Sequence, residues 1–200
     1  AFEGTGAFSA PTTNVKAIGV VYSEVYQIVA NASTGAKEVA DLKALASVAH
    51  QWRIPLIADS TAIPFTETNL KELGVDIEVV SSTKYLSGGG TSLGGLIIDY
   101  GTTPGFTERI KLELMFNLGA YMTPQAAYMQ TLGLETLNAR YRVQDSNPQL
   151  LAERMQKELK GRLTVNYVGL ADNPFHELAR RQFGSTAGAM VCIDLESRDA

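Results

Sequence analysis

The chain has 200 residues, 17 Lys+Arg against 21 Asp+Glu for a formal charge of −4, and 45% apolar residues. Such a composition buries a sizeable core and excludes disorder, and it offers no basic face to neutralise phosphates, so a nucleic-acid partner is not expected. The longest apolar runs, Ile54 to Ala58 and Leu93 to Ile98, fall far short of the roughly 20 residues of a spanning helix, so no membrane partner is expected either.

Along the chain, the β-branched run Val15 to Tyr22 predicts a buried strand. From Asp41 the period changes: Leu42, Leu45, Ala49 and Trp52 recur at helical spacing, with Asp41 placed to cap the first turn. Ile54-Pro55-Leu56-Ile57-Ala58 is too short for a helix and apolar on both faces, which predicts a strand inside a parallel sheet. Thr66 to Leu73 predicts a short helix ended by a left-handed Gly74, and Val75 to Ser81 a third strand. Alternating strands and helices indicate an α/β fold with a mostly parallel sheet flanked by helices. The glycines from Gly88 to Gly95 predict a tight return into a strand at Leu96-Ile97-Ile98. Beyond Thr123-Pro124 the chain reads helical through Met129, Leu132 and Leu137, and again from Leu150 to Leu159 after Asn147-Pro148. That Asn-Pro pair is the candidate domain boundary. A strand at Leu163 to Tyr167, a helix at about Phe175 to Phe183 and a strand at Ala189 to Leu195 look like the start of a second α/β unit.

The single cysteine, Cys192, lies in the apolar run Ala189 to Ile193, which predicts a buried inert thiol. One cysteine allows no intrachain disulfide and suits a reducing compartment, so a cytoplasmic location is expected. The start, Ala1-Phe2-Glu3-Gly4, has neither an initiator Met nor a basic leader. It reads as a fragment or a processed end. His50 and His176 have no metal-ligand spacing to a partner, so no metal site is expected.

In open α/β sheets, ligands bind at the carboxyl ends of strands. Asp59 follows one predicted strand and Lys84 the next, 25 residues apart. Each alone is ordinary, because an Asp after a strand is commonly a cap or turn residue and a lone Lys a solvated one. Together they are more specific: Ser81 and Thr83 flank the lysine with hydroxyls suited to phosphate, and Gly88 to Gly90 let backbone approach behind it. These are the parts of a pyridoxal phosphate site. No Gly-x-Gly-x-x-Gly follows the first strand and no Gly-Lys-Ser/Thr opens a helix, which leaves dinucleotide and P-loop chemistry without support.

The sequence also resembles the Cys/Met-metabolism pyridoxal phosphate enzymes of aspartate-aminotransferase-like fold (fold type I), including cystathionine γ-synthase, the γ-lyases and O-acetylhomoserine sulfhydrylase. The likeness runs through Val39-Ala40-Asp41-Leu42, Ile54 to Thr61, Ser81-Ser82-Thr83-Lys84-Tyr85-Leu86, Gly133-Leu134-Glu135-Thr136-Leu137 and Val165 to Leu170. It implies that residues 1–146 are part of the cofactor-binding large domain, that 147–200 begin the C-terminal small domain, and that the chain lacks both ends of its family's length. By this resemblance Lys84 carries the cofactor aldehyde as a Schiff base and later moves protons between the substrate's Cα and Cβ. Asp59 pairs with the pyridine nitrogen, and Ser81 and Thr83 hold the phosphate.

Gly90-Thr91-Ser92-Leu93-Gly94-Gly95 looks like the sulfhydrylase branch. The implied reaction is γ-replacement on an O-acylated homoserine, with sulfide or a small thiol giving homocysteine or methionine. A γ-lyase or γ-synthase of the same family, or a noncatalytic relative serving as an assembly subunit, are the alternatives. Two positions depart from the family pattern. Gly89 stands where a histidine is usual, and the counterpart of a cofactor-contacting Asn is Asn31 or a residue near Thr34. The substrate's carboxylate-binding arginine has no counterpart, and Arg140, Arg142, Arg180 and Arg181 read as surface charges on helices. The resemblance further implies a homodimer or homotetramer.

Overall fold

The structure is a computed structural model and describes residues 41–195. The strand expected at Val15 to Tyr22, and Asn31, lie outside the described residues.

Helix α1 (Leu42–Gln51) starts where Asp41, in an extended conformation, accepts a hydrogen bond from the Ala44 N–H at 3.2 Å. Its inward stripe is Leu42, Leu45, Ala46 and Ala49. Trp52, expected on that stripe, instead follows the last turn and is exposed, because the helix has already ended. Strand β1 (Ile57–Asp59) is followed by a 3₁₀ turn at Leu70–Leu73, stopped by Gly74 at φ 88°. A side chain at Gly74 would also press on the Ala46 Cβ of α1, so this glycine is required both for its conformation and for the close approach.

Strand β2 (Ile77–Val80) pairs with β1 in parallel, Asp59 lying opposite Val79. Strand β3 (Leu96–Asp99) returns antiparallel to β2, Val80 opposite Leu96. Among the described strands the order is β1-β2-β3, with β1 and β2 parallel and β3 an antiparallel neighbour of β2. A parallel neighbour requires a crossover back along the sheet. Here Thr83 and Gly94 tie the arms of the return together through Thr83 N–H to Gly94 O at 3.3 Å and Gly94 N–H to Thr83 Oγ1 at 2.9 Å.

Helix α2 (Phe106–Arg109) continues as a π-helix over Ile110–Phe116, a segment the sequence reading left unassigned. Helix α3 (Pro124–Glu135) is capped by Thr123, and α4 (Leu137–Glu158) follows after Thr136. Helix α4 runs unbroken through Asn147-Pro148, where the sequence reads two helical stretches. Proline removes one backbone donor there, and its ring is buried. Strand β4 (Leu163–Asn166), helix α5 (His176–Phe183) and strand β5 (Cys192–Leu195) complete the described chain, β4 and β5 forming a separate antiparallel pair.

Cys192 is exposed, which corrects the expectation of a buried thiol. It pairs with Asn166 at the start of β5, and no further strand of the described residues covers that two-stranded sheet. The main core joins α1, β1 and the 3₁₀ turn to Ala179 and Phe183 of α5. Polar contacts reinforce the joint: the Leu42 N–H donates to Gln182 Oε1 at 2.7 Å and Arg181 pairs with Asp41 at 2.9 Å. Among the described residues no helix is long and apolar enough to cross a membrane.

Candidate active site

Asp59 is the last residue of β1 and is half-buried. One carboxylate oxygen accepts the Thr61 N–H at 2.9 Å, the local turn bond expected of an Asp at a strand end. The other has no hydrogen-bond partner among the described residues. Thr61 Oγ1 in turn accepts the Ser81 N–H at 2.8 Å, and the Ser60 N–H donates to Val79 O at 3.0 Å. The carboxyl ends of the two parallel strands are thus stitched together directly. Because paired residues of a sheet share a face, Asp59 lies on the face of Val79, and the alternation carries that face on to Ser81.

Lys84 follows in a turn closed by its own N–H on Ser81 O at 3.2 Å. The next turn is held by Ser87, whose N–H donates to Ser82 O at 3.0 Å and whose hydroxyl donates to Thr83 O at 2.7 Å. Two apolar anchors fix the segment. Leu86 is buried with Val80 and Leu137, and Tyr85 meets Tyr141 of α4 edge-on, ring centres 5.4 Å apart. The floor is Gly133 of α3: a Cβ there would run into the Leu86 carbonyl oxygen and the Ser87 backbone. The lysine side chain emerges from this rigid base, exposed and without a hydrogen-bond or ion-pair partner among the described residues.

Of the four residues singled out from sequence, three stand ready for a ligand. Asp59 has an open carboxylate oxygen, Ser81 a hydroxyl with no partner among the described residues, and Lys84 an open ammonium. Thr83 differs: its hydroxyl donates to Gly94 O at 3.2 Å and accepts the Gly94 N–H, so it closes the glycine return. The chemistry of the set fits pyridoxal phosphate, with an amine for the aldehyde, a carboxylate for the ring nitrogen and a hydroxyl for the phosphate. Beyond the return, Gly94, Gly95 and Gly119 to Thr123 line a cleft of about 470 Å³, which Asp59 and Lys84 do not reach.

His50 and His176 serve structure. His50 Nε2 lies 2.7 Å from Asp76 Oδ2, which also accepts the Leu56 N–H at 2.7 Å, and His176 Nδ1 lies 2.8 Å from Val168 O. No group of side chains suited to a metal occurs among the described residues. Burial pushes the Asp76 carboxyl up, but hydrogen bonds from Thr102, His50 and the Leu56 N–H, together with the His50 charge, outweigh it and hold the group below its ordinary range. Arg140 donates to Gly133 O at 2.7 Å and braces the helix junction, while Arg142 and Arg180 are exposed.

Four further residues bear on the site: Ser60, Thr61, Glu78 and Tyr100. Glu78 is 1% exposed on the central strand and accepts hydrogen bonds from the hydroxyls of Ser60 and Tyr100. Burial and the Glu78 carboxylate push the Tyr100 hydroxyl well up. The sequence signal for Glu78 is that it is one of two acids, with Asp76, in the otherwise apolar run Val75 to Val80, and a glycine inside a predicted helix is the corresponding signal for the role of Gly133.

Residues 16–200 match the family described as Cys/Met metabolism PLP-dependent enzyme. Over 169 residues the chain is 36% identical to a canavanine γ-lyase of Pseudomonas canavaninivorans, covering 84% of this chain and 40% of that protein. The structure of an O-acetylhomoserine sulfhydrylase of Wolinella succinogenes superposes with a TM-score of 0.69 at 38% identity, covering 81% of this chain and 51% of the other. A structure described as an O-acetylhomoserine (thiol)-lyase of Campylobacter jejuni, which carries a pyridoxyl-lysine monophosphate group, gives a TM-score of 0.74 at 25% identity over 81% of this chain and 47% of the other. The chain thus spans about two-fifths to half the length of these relatives. With the family match covering most of its residues and the fold agreeing, the chain belongs to the Cys/Met metabolism PLP-dependent enzymes, whose architecture is fold type I.

Proposed function

We propose that the protein containing this chain is a pyridoxal phosphate enzyme that performs γ-replacement on an O-acylated homoserine, adding sulfide or a small thiol to form homocysteine or methionine. The observation that carries the cofactor reading is the joining of Asp59 and Ser81 through Thr61, with Lys84 one turn further on, at the carboxyl ends of adjacent parallel strands. When bound, pyridoxal phosphate supplies an electron sink that stabilises negative charge at the substrate's α-carbon.

The chain's own residues do the rest. Lys84 would hold the cofactor through its amine and, when that amine is free, would move protons at the substrate's Cα and Cβ. Asp59, through its open oxygen, keeps a proton on the ring nitrogen. Ser81 donates to the phosphate and fixes the ring's position, and Thr83 joins it only by exchanging its bond to the Gly94 carbonyl. Assembly as a homodimer or homotetramer belongs to the same reading. It is supported by the exposed apolar side chains Leu112, Phe116 and Leu118 on and just past the π-helix.

The choice of γ-replacement rests on Gly90 to Gly95 and on the likeness to the Wolinella sulfhydrylase. A γ-lyase is the second reading, favoured by the likeness to the canavanine γ-lyase. Incubating the intact protein with O-acetylhomoserine plus sulfide, and separately with methionine, distinguishes the two. Homocysteine as the main product is expected, and release of an α-keto acid and ammonia instead would establish the lyase. Borohydride reduction followed by mass spectrometry is expected to leave the cofactor on the peptide containing Lys84 and nowhere in Lys84→Ala. Wild-type protein that takes up no cofactor would end both readings.

A further inference from the structure

Glu78 takes no part in the chemistry above, yet it is the most deeply buried acid described. A carboxyl group withdrawn from water is unfavourable unless its oxygens are hydrogen-bonded, and an aliphatic side chain would fill the same place in the strand without that penalty. Both of its oxygens are engaged: Oε1 accepts from Ser60 and Oε2 from Tyr100. Ser60 is itself buried and directly follows Asp59. Its N–H is bound to Val79 O, so its backbone belongs to β2 and its side chain to Glu78. Alternation then places Asp59 and Thr61 on one side of the strand end and Ser60 on the other. The Asp59 turn is therefore gripped from both faces, by Thr61 on Ser81 above and by Ser60 on Glu78 below. Tyr100, whose N–H donates to Asp76 O at 3.1 Å, holds the other carboxylate oxygen from the end of β3.

We infer that Glu78 is a positioning residue for Asp59, acting through Ser60 to aim the Asp59 carboxylate at the cofactor's ring nitrogen; this rests on the cofactor reading above. Tyr100 satisfies the Glu78 oxygen that does not face Ser60 and is a stabilising partner, while the oxygen that holds Ser60 is independent of it.

The test uses the intact protein, with two readouts: the dissociation constant of pyridoxal phosphate and the pH dependence of the bound cofactor's visible absorbance. Glu78→Leu and Ser60→Ala are each expected to weaken cofactor binding by about tenfold or more and to shift the absorbance midpoint, because a misaimed carboxylate no longer fixes the ring proton. Glu78→Gln, which keeps an acceptor for Ser60, is expected to stay within about twofold of wild type, as is Tyr100→Phe, whatever it does to melting temperature. In an Asp59→Asn background, Glu78→Leu and Ser60→Ala should add less than about a further twofold, since the group they aim is gone. Undiminished losses in that background, or Tyr100→Phe weakening the cofactor as much as Ser60→Ala, would overturn the assignment and leave Glu78 a general stabiliser. Should Glu78→Leu fail to fold, Ser60→Ala alone decides. Wild-type protein that binds no cofactor would remove the underlying reading and this inference with it, an outcome distinct from a loaded wild type whose variants are unaffected.

Discussion

Gly133 shows how a single missing side chain positions a turn distant in sequence. The Lys84 turn rests on the backbone of α3 at this residue, and no rotamer change relieves a Cβ set against a backbone carbonyl. Gly133→Ala is therefore expected to destabilise the protein by about 1–3 kcal/mol through overpacking and to weaken cofactor binding as the lysine turn shifts. Ala in place of Gly89 is the useful contrast, because that glycine is exposed with open space around it. It carries a φ of 124°, so strain is confined to the turn and the Lys84 base is left in place. Thermal melting and cofactor titration of both variants check the prediction; equal loss of cofactor in the two would contradict the placement of Gly133 as the floor.

At the scale of elements, Asp41 at the start of α1 and Asp76 at the head of β2 each tie their element to its neighbours. Asp41 caps α1 through the Ala44 N–H and also receives Arg181 from α5. Asp41→Ala is expected to lower stability by about 1 kcal/mol, most of it from the lost cap. The Arg181 pair is solvent-exposed, so Arg181→Ala should change stability by no more than about 0.5 kcal/mol, as urea titrations of the two variants would reveal.

Asp76 is the second anchor, holding Leu56, His50 and Thr102 at the head of β2. Its acidity is raised by folding, so it binds a proton less readily in the native chain than in the unfolded one. Its stabilisation is therefore complete above the unfolded value of about 3.9 and is lost as pH falls through the lower native value. Unfolding free energy should decline with acidification below about pH 4, and Asp76→Asn should flatten that decline while lowering stability at neutral pH. A decline of unchanged slope in the variant would assign the acid sensitivity to other carboxylates.

Over the whole molecule, the lysine turn is coupled to the distal β4–β5 region through α4. Tyr85 packs on Tyr141, whose hydroxyl lies 2.9 Å from Thr186 Oγ1. Thr186 gives its only hydroxyl proton to Asp145 at 2.7 Å, and the same carboxylate oxygen accepts the Ala187 and Gly188 N–H groups. Tyr167 closes the set by donating to Gly188 O at 2.9 Å, its hydroxyl pushed up to about 12 chiefly by burial. Asp145→Ala removes the shared acceptor of the Thr186 hydroxyl and the Ala187 and Gly188 N–H groups, for an expected loss of about 1–3 kcal/mol. In a chain of this size that lowers the melting temperature by roughly 2–4 °C for each kcal/mol. Since α4 is continuous through Pro148, the loss should spread to the lysine turn, and hydrogen exchange at Leu86 and Ser87 should quicken along with that at Ala187 and Gly188.

Local rules were sufficient for much of this protein. The Asp41 cap, the Gly74 stop and the short apolar strands all depend on neighbours within a few positions, where periodicity and backbone preference act. What depended on distant contacts was illegible. The continuity of α4 through Asn147-Pro148 and the exposure of Cys192 within an apolar run are set by the surroundings that folding brings to them. The same reason hides Glu78: alone it is an acid in an apolar run, and its place beneath Asp59 exists only once β1 and β2 lie side by side. Sequence by itself determined the residue types that can bind an aldehyde, a ring nitrogen and a phosphate. Tertiary structure alone decided which of them are open to a ligand and which, like Thr83, are already held by the backbone, because hydrogen bonds between segments far apart in sequence form only when folding brings their partners within 3 Å or so.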